Sequence, residues 1–154
     1  MFREIRRQDR AITGAILDDI LREAPYGFLA TVSPDGWPYG IPISYVYDGT
    51  AVFFHCAVEG HKLDNIAVDD RVTFTAVTDA EVLPDKFGTN YKSVVLFGRA
   101  REIFDGEKEA ALRLFIIKYS SEFREAGERY IQGSKEKTRL FRIDVEYRTG
   151  KSRR

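Results

Sequence analysis

The segment His55-Cys56-Ala57-Val58-Glu59-Gly60-His61-Lys62-Leu63-Asp64-Asn65 is the densest run of groups able to do chemistry, holding both histidines and the one cysteine of the protein. The spacing puts His55 and Cys56 at a strand end, Glu59 and Gly60 in a loop, and His61 at the start of a helix over 61–68, with Leu63, Ile66 and Ala67 on one face. A helix start presents unpaired N–H groups and the positive end of the peptide dipole, which suits an anion such as phosphate. Cations are unfavourable in that first turn, so His61 and Lys62 are accounted for by an anion that neutralises them. A solvated lysine beside a surface histidine is the other reading. Two histidines so close raise the question of a metal. Adjacent strand residues point to opposite faces, however, so His55 and Cys56 make a poor chelate, and no matching carboxylate or thiolate set accompanies them. No metal site is expected. A lone cysteine forms no intrachain disulfide and reads as a small buried hydrophobe rather than a nucleophile.

These residues need elements to position them. Apolar residues at 12, 16, 17, 20 and 21 predict a helix that ends before Pro25. Phe28–Val32 reads as a strand and Ser33-Pro34-Asp35-Gly36 as a turn. The run Trp37–Tyr47 carries Pro38 and Pro42, which cannot donate to a ladder, so it should be an edge, bulged or interrupted strand. Asp48-Gly49 signals a hairpin into residues 50–54. Strands follow at 71–78 and 93–104, with 79–91 as an irregular excursion containing Pro84 and Gly88. A long helix is expected from Glu107 to about Phe123, and a last alternating strand over Thr138–Tyr147. The basic tail Arg148–Arg154 reads as a solvated end. The result is one α+β domain over residues 1–154, mainly β: about six antiparallel strands closing into a barrel, flanked by three helices. No strand–helix alternation, GxGxxG, Walker loop or nucleophile elbow points to another class.

Composition sets outer bounds. In 154 residues, 44% are hydrophobic and 31% charged, as expected of a globular protein with a real core. Basic and acidic residues balance at 24 each, which argues against a general nucleic-acid binder. The charged first ten residues lack the apolar run of a signal peptide, and no stretch is apolar enough to span a membrane, so a cytoplasmic location is the expectation.

Several segments, in order, resemble the pyridoxamine-phosphate-oxidase-like split-barrel superfamily, and within it the 5-nitroimidazole-resistance (Nim) family. They are Trp37-Pro38-Tyr39-Gly40-Ile41-Pro42-Ile43-Ser44-Tyr45, Phe53-Phe54-His55-Cys56-Ala57, Glu59 through Ile66, Tyr91 through Ala100, and Ile143-Asp144-Val145-Glu146 with Thr149-Gly150-Lys151. Together they spread over residues 12–151. The resemblance implies a six-stranded split barrel, a homodimer, and FMN held at the subunit interface. It places His61 and Lys62 on the FMN phosphate, although many relatives have arginine where this chain has His61. The backbone of Ile41-Pro42-Ile43 would follow the isoalloxazine edge, with Ser44 supplying a hydroxyl. Phe54, His55 and Cys56 would reach the ring or ribityl chain, and His55 is the catalytic candidate that would touch substrate. Tyr91, Ser93 and Val94 would complete the site from the partner subunit.

The activity implied is that of an FMN-dependent oxidoreductase, taking electrons from NAD(P)H and reducing a small molecule such as a nitroaromatic, with His55 donating a proton or a hydrogen bond. The alternative, from a different class, is a non-catalytic flavin or haem carrier on the same barrel. Related split barrels hold haem or the deazaflavin F420 as well as FMN. A pyridoxamine-phosphate oxidase proper fits less well, because no histidine follows His61 to form that enzyme's C-terminal arginine–histidine segment.

Overall fold

The computed structural model describes residues 1–154. Helix α1 (Ala15–Glu23) buries Leu17, Ile20 and Leu21, and its next residue, Ala24, donates its N–H to the Ile20 carbonyl before the chain turns away at Pro25. Burying each of those large side chains contributes about 1.5–3 kcal/mol, more than the intrinsic helix propensity of so short a segment. Strands β2 (Gly27–Val32) and β3 (Pro38–Ile43) form the first hairpin, joined by the expected turn, in which the Gly36 N–H donates to the Ser33 carbonyl. Two-residue β4 (Val46–Tyr47) leads through Asp48-Gly49 into β5 (Val52–Cys56), and the Asp48 carboxylate accepts the N–H groups of Thr50 and Ala51 at 2.8 Å each. Helix α2 (His61–Val68) has the expected bounds.

The rest of the molecule departs from the sequence reading in four places. Residues 79–91 are not an irregular excursion. Strand β6 (Arg71–Leu83) and strand β7 (Gly88–Ile103) run as one long ribbon, with a bulge between Thr78 and Glu81 and a 3₁₀ turn at Pro84–Lys86. The bulge displaces the hydrophobic alternation that the sequence reading relied on. The expected helix from Glu107 to about Phe123 is α3 (Asp105–Tyr119), ending at Ser120 where the backbone leaves helical geometry, and an unforeseen helix α4 (Arg124–Ser134) follows it. The last strand, β8, runs over Arg139–Arg153, so the basic tail is not a solvated end. Its residues 148–153 pair with Tyr91–Leu96 of β7, and Arg148 is pinned to Asp18 at 2.6 Å.

The fourth difference is the strand count. With β1 (Ala11–Ile12) on β8, the sheet has eight strands rather than six, in the order β3-β2-β6-β7-β8-β5-β4, and its hydrogen bonds do not close. β3 ends the path, as Pro38 and Pro42 require of an edge. The same interruption after Ile43 splits β4 from β3 and hands it to the opposite edge. The architecture is therefore an α+β fold dominated by one curled antiparallel sheet with four helices. Its main core gathers Leu21, Leu29, Tyr45, Phe54, Phe74 and Leu96 inside the curl, and a second, smaller core with Phe53, Phe115, Ile131 and Leu140 lies under α3 and α4. No helix is long and apolar enough to cross a membrane.

Candidate functional site

Helix α2 and the edge strand β3 meet at one end of the candidate site. Gly60 precedes α2 at φ 152°, a conformation that a side chain would strain, and it brings no capping side chain to the helix start. Asn65 fixes α2 from below: it is fully buried, and its amide donates to the buried Thr31 hydroxyl at 2.9 Å. His61, the first helical residue, lies exposed on Tyr39 with ring centroids 4.0 Å apart. Its Nε2 shares a hydrogen bond of 3.1 Å with the Ser33 hydroxyl. The nearby ion pairs are Arg71–Asp69 and Arg139–Glu102, and neither His61 nor Lys62 takes part in one. Two basic side chains thus stand at a helix start without a carboxylate partner.

Following β3 from Tyr39 leads to the other end. Ile41 and Ile43 pack against the main core, Pro42 is exposed, and the exposed Ser44 lines a cavity of about 410 Å³ with His55. Tyr39 and Ser44 are five residues apart, roughly 17 Å of extended chain at ~3.3 Å per residue. The site is therefore elongated: cations and helix N–H groups at one end, a hydroxyl, an imidazole and a half-open cavity at the other. Cys56, half-buried, sits between these ends on β5.

His55 projects from the outer face of β5, but its ring meets Phe115 edge to face at 4.6 Å. Loss of water on that side, and then the Lys62 charge, push its pKa below the ordinary imidazole value, so it is a neutral ring at neutral pH. Burial pushes the Cys56 thiol up, against a smaller opposing pull from Lys62 and Arg139, which leaves it protonated and unreactive. Lys62 thus acts electrostatically on both residues and links the two ends of the site.

Not every residue expected at the site reaches it. Phe54 is fully buried, stacked on Phe141 at 5.3 Å, and leaves only its backbone for a ligand. Val94 is likewise fully buried, with Leu17 and Gly150 among its neighbours in the structure. Tyr91 and Ser93 lie far from His55 along the β7–β8 ladder, although across the sheet Val94 shares a row with Ala76, Gly27 and Ile43. Ile103 and His55 both pair with Leu140, whereas Ser93 is ten residues earlier in β7, about 33 Å along the strand.

Sequence reading missed four contributors. Ser33 sits in what reads as a plain turn, yet touches His61. Tyr39 stacks on that histidine, a contact foreshadowed only by its place in an edge strand. Lys118 and Tyr119, at the end of α3, hold the backbone beside Ser44. The Tyr119 hydroxyl accepts the Tyr45 N–H at 3.1 Å and lies 2.7 Å from the Pro25 carbonyl, while Lys118 donates to the Tyr45 carbonyl at 3.1 Å. Nothing in the local sequence signals contacts that span more than 70 residues.

Comparison with known proteins bears on this geometry. The family model described as pyridoxamine 5'-phosphate oxidase matches residues 14–152. Among solved structures, a Bacteroides thetaiotaomicron protein provisionally assigned to 5-nitroimidazole antibiotic resistance is 20% identical, with a TM-score of 0.74 over 92% of this chain and 85% of that one. An FAD-binding protein from Mesorhizobium loti is 23% identical, with a TM-score of 0.66 over 94% and 98% of the two chains. An FAD and heme binding protein from Mycobacterium smegmatis is 18% identical, with a TM-score of 0.71 over 93% and 73%. At such identities these likenesses establish the fold. No curated protein matches.

Proposed function

This chain belongs to the pyridoxamine 5'-phosphate oxidase family, and from that premise we propose that it is a flavin-binding protein that uses FMN to pass electrons from NAD(P)H to a small-molecule acceptor. The observation that carries the reading is the unpaired His61–Lys62 couple at the start of α2, aligned through β3 with the His55 cavity. The residues present fit an elongated ligand ending in a phosphate. Lys62, His61 and the first N–H groups of α2 would hold the anion, and charge-assisted hydrogen bonds of this kind are the strong ones. Ile41, Pro42 and Ile43 supply an apolar edge with free backbone groups, because β3 has no neighbour on its outer side. The two FAD-binding neighbours support a flavin without distinguishing FMN from FAD. A single cluster of phosphate-binding groups, at the start of α2, favours the mononucleotide.

When bound, a flavin supplies the redox chemistry, accepting and releasing electron pairs. The protein's part is to bind, orient and exclude water. The neutral His55 imidazole is placed to hydrogen-bond an acceptor in the cavity, and to carry a proton at one ring nitrogen. The Ser44 hydroxyl stands across the same space. Tyr91 and Ser93 lie about 40 and 33 Å along β7 from the level of His55, at ~3.3 Å per residue, and a second copy of the chain would bring them to that residue. That separation supports the homodimer.

The test is spectroscopic. Purified protein titrated with FMN should develop a perturbed flavin doublet, and NADH or NADPH should bleach it without oxygen. Lys62→Met should weaken FMN at least tenfold, about 1.4 kcal/mol, while leaving riboflavin, which has no phosphate, within about twofold. Equal losses for both ligands would refute the phosphate assignment. A Soret band, or a bound flavin that no nicotinamide bleaches, would instead favour the carrier reading suggested by the flavin-and-heme neighbour.

A further inference from the structure

We propose that the far end of the β7–β8 ladder is a second anion site, and that it takes the pyrophosphate of a nicotinamide dinucleotide. This rests on the preceding reading for the identity of that ligand; the anion site itself stands on side chains remote from α2. Tyr91 lies opposite Arg153 and Ser93 opposite Lys151, so the four side chains share one face of the ladder as a block. Arg10 joins them through β1, whose Ala11 pairs with Lys151. Ser33, the partner of His61, lines a cavity with Arg99, and Arg99 is eight residues from Tyr91, ~26 Å along β7 at ~3.3 Å per residue. The two anion sites are therefore separate.

The block holds more positive charge than its surroundings neutralise. Arg10, Lys151 and Arg153 are each partly buried, and none of them joins an ion pair. The carboxylates close by are committed elsewhere: Asp9 to Arg7, and Asp79 to Lys92 and Arg154, which alternate onto the opposite face. Lys151 and Arg153 are two residues apart on one face, roughly 7 Å at ~3.4 Å per residue, close enough to repel. What Lys151 and Arg10 share is the Tyr91 phenol, and the Lys151 ammonium lies 5.9 Å from its ring centroid. Loss of water would raise the Tyr91 pKa, but hydrogen bonds and charge from Lys151 and then Arg10 outweigh it and hold it below the ordinary tyrosine value. The phenol thus accepts from two cations and keeps its own proton to donate. Arg153 lies against Gly88, where a β-carbon would collide with its guanidinium. A diphosphate supplies what is missing: charge to offset the three cations, and oxygens for their N–H groups and for the Tyr91 and Ser93 hydroxyls. The single phosphate of FMN is already provided for at α2, so the dinucleotide is the ligand left without a place. A second copy that brings Tyr91 and Ser93 to His55 would set the donor's phosphates beside the flavin.

Inorganic pyrophosphate, titrated calorimetrically into flavin-free full-length protein at low salt, is the first probe. Lys151→Met and Arg10→Met should each weaken it about tenfold or more, whereas Arg124→Met, which removes an exposed charge on α4, should leave it within about twofold. The same losses should appear in a Lys62→Met background, where α2 no longer competes for the anion. In an NMR titration with carbon-labelled tyrosine, pyrophosphate should raise the Tyr91 pKa, because it neutralises the cations that lower it. In the FMN-loaded protein, Lys151→Met should weaken NAD+ about tenfold and leave FMN within about twofold. No pyrophosphate binding, equal losses in Arg124→Met, or a Tyr91 resonance that ignores the anion overturns the proposal. So does a loss of FMN in Lys151→Met that equals its loss of NAD+. If the variants fail to fold, the Tyr91 response in the unmodified protein decides alone. Absence of FMN binding would remove the proposed function, while pyrophosphate bound at this block in flavin-free protein would still uphold the anion site.

Discussion

His55 and Lys62 are coupled through space, and the coupling is measurable. Lys62 lowers the His55 pKa, so Lys62→Met should move it upward, read from the imidazole Cε1 proton in an NMR titration. A titration that does not move would mean that Lys62 points away from β5 in solution. The sign of the stability effect follows from the same shift. His55 binds its proton less readily in the folded chain than in the unfolded one, so its contribution is intact above about pH 6.5 and declines as pH falls below it. His55→Phe should therefore flatten the acid limb of the stability profile in denaturant melts between roughly pH 5 and 7. The identity of these residues was legible in the sequence, because a basic pair at a helix start is a local feature. That Lys62 also reaches His55 and Cys56 was not, because it depends on how the loop 57–60 folds back.

At the scale of elements, α3 and α4 decide what surrounds His55. Lys118, at the end of α3, has no carboxylate partner, and loss of water lowers its pKa to about 8. A lysine-selective NMR titration should find one ammonium with a midpoint near 8, well apart from the others. Since the unfolded chain holds that proton more tightly, this group makes the protein more stable as pH rises from about 8 towards 10.5. The α3–α4 contact hinges on the buried Gly127, where an added Cβ would lie 2.7 Å from Ile116 Cγ2. Gly127→Ala should push α4 off α3 and cost about 1–3 kcal/mol by calorimetry, despite alanine's better helix propensity. An increase in stability would mean that the helices have room to separate. The sequence reading favoured one helix through Phe123 because Ala111, Leu112, Phe115, Ile116 and Tyr119 recur at helical spacing. The break at Ser120 arises from tertiary packing: Tyr119 is drawn to the 25 and 45 carbonyls, and α4 must turn back to cover Ile116 and Phe115.

For the whole molecule, the proposed homodimer draws on the open edges of the sheet and on where residues 91–94 lie. Its ends at β3 and β4 stay unpaired, and the 91–94 segment lies at the opposite end of the β7–β8 ladder from His55. Sedimentation should find a dimer, and mixing His55→Ala protein with Ser93→Trp protein should yield heterodimers with one intact site, recovering up to about a quarter to a half of the FMN-dependent activity that neither parent shows. A monomer that binds FMN normally would overturn the shared site.

The sequence by itself determined the edge character of β3, through prolines that cannot donate, the Asp48-Gly49 hairpin, the bounds of α2, and the cationic pair that begins it. Each is a short-range consequence of backbone chemistry, legible without knowing what lies across the fold. Only the tertiary structure decided that residues 79–91 form a ribbon, that Arg148–Arg153 pair with β7, and that eight strands curl without closing. Those outcomes rest on ladders between residues far apart in the chain, where partner and register are chosen by burial on both strands at once. The cavity beside His55 belongs to the same class. Its walls come from Ser44 just beyond β3, from β5, from α3 and α4 and from the connections that follow them, and no single segment carries its signature.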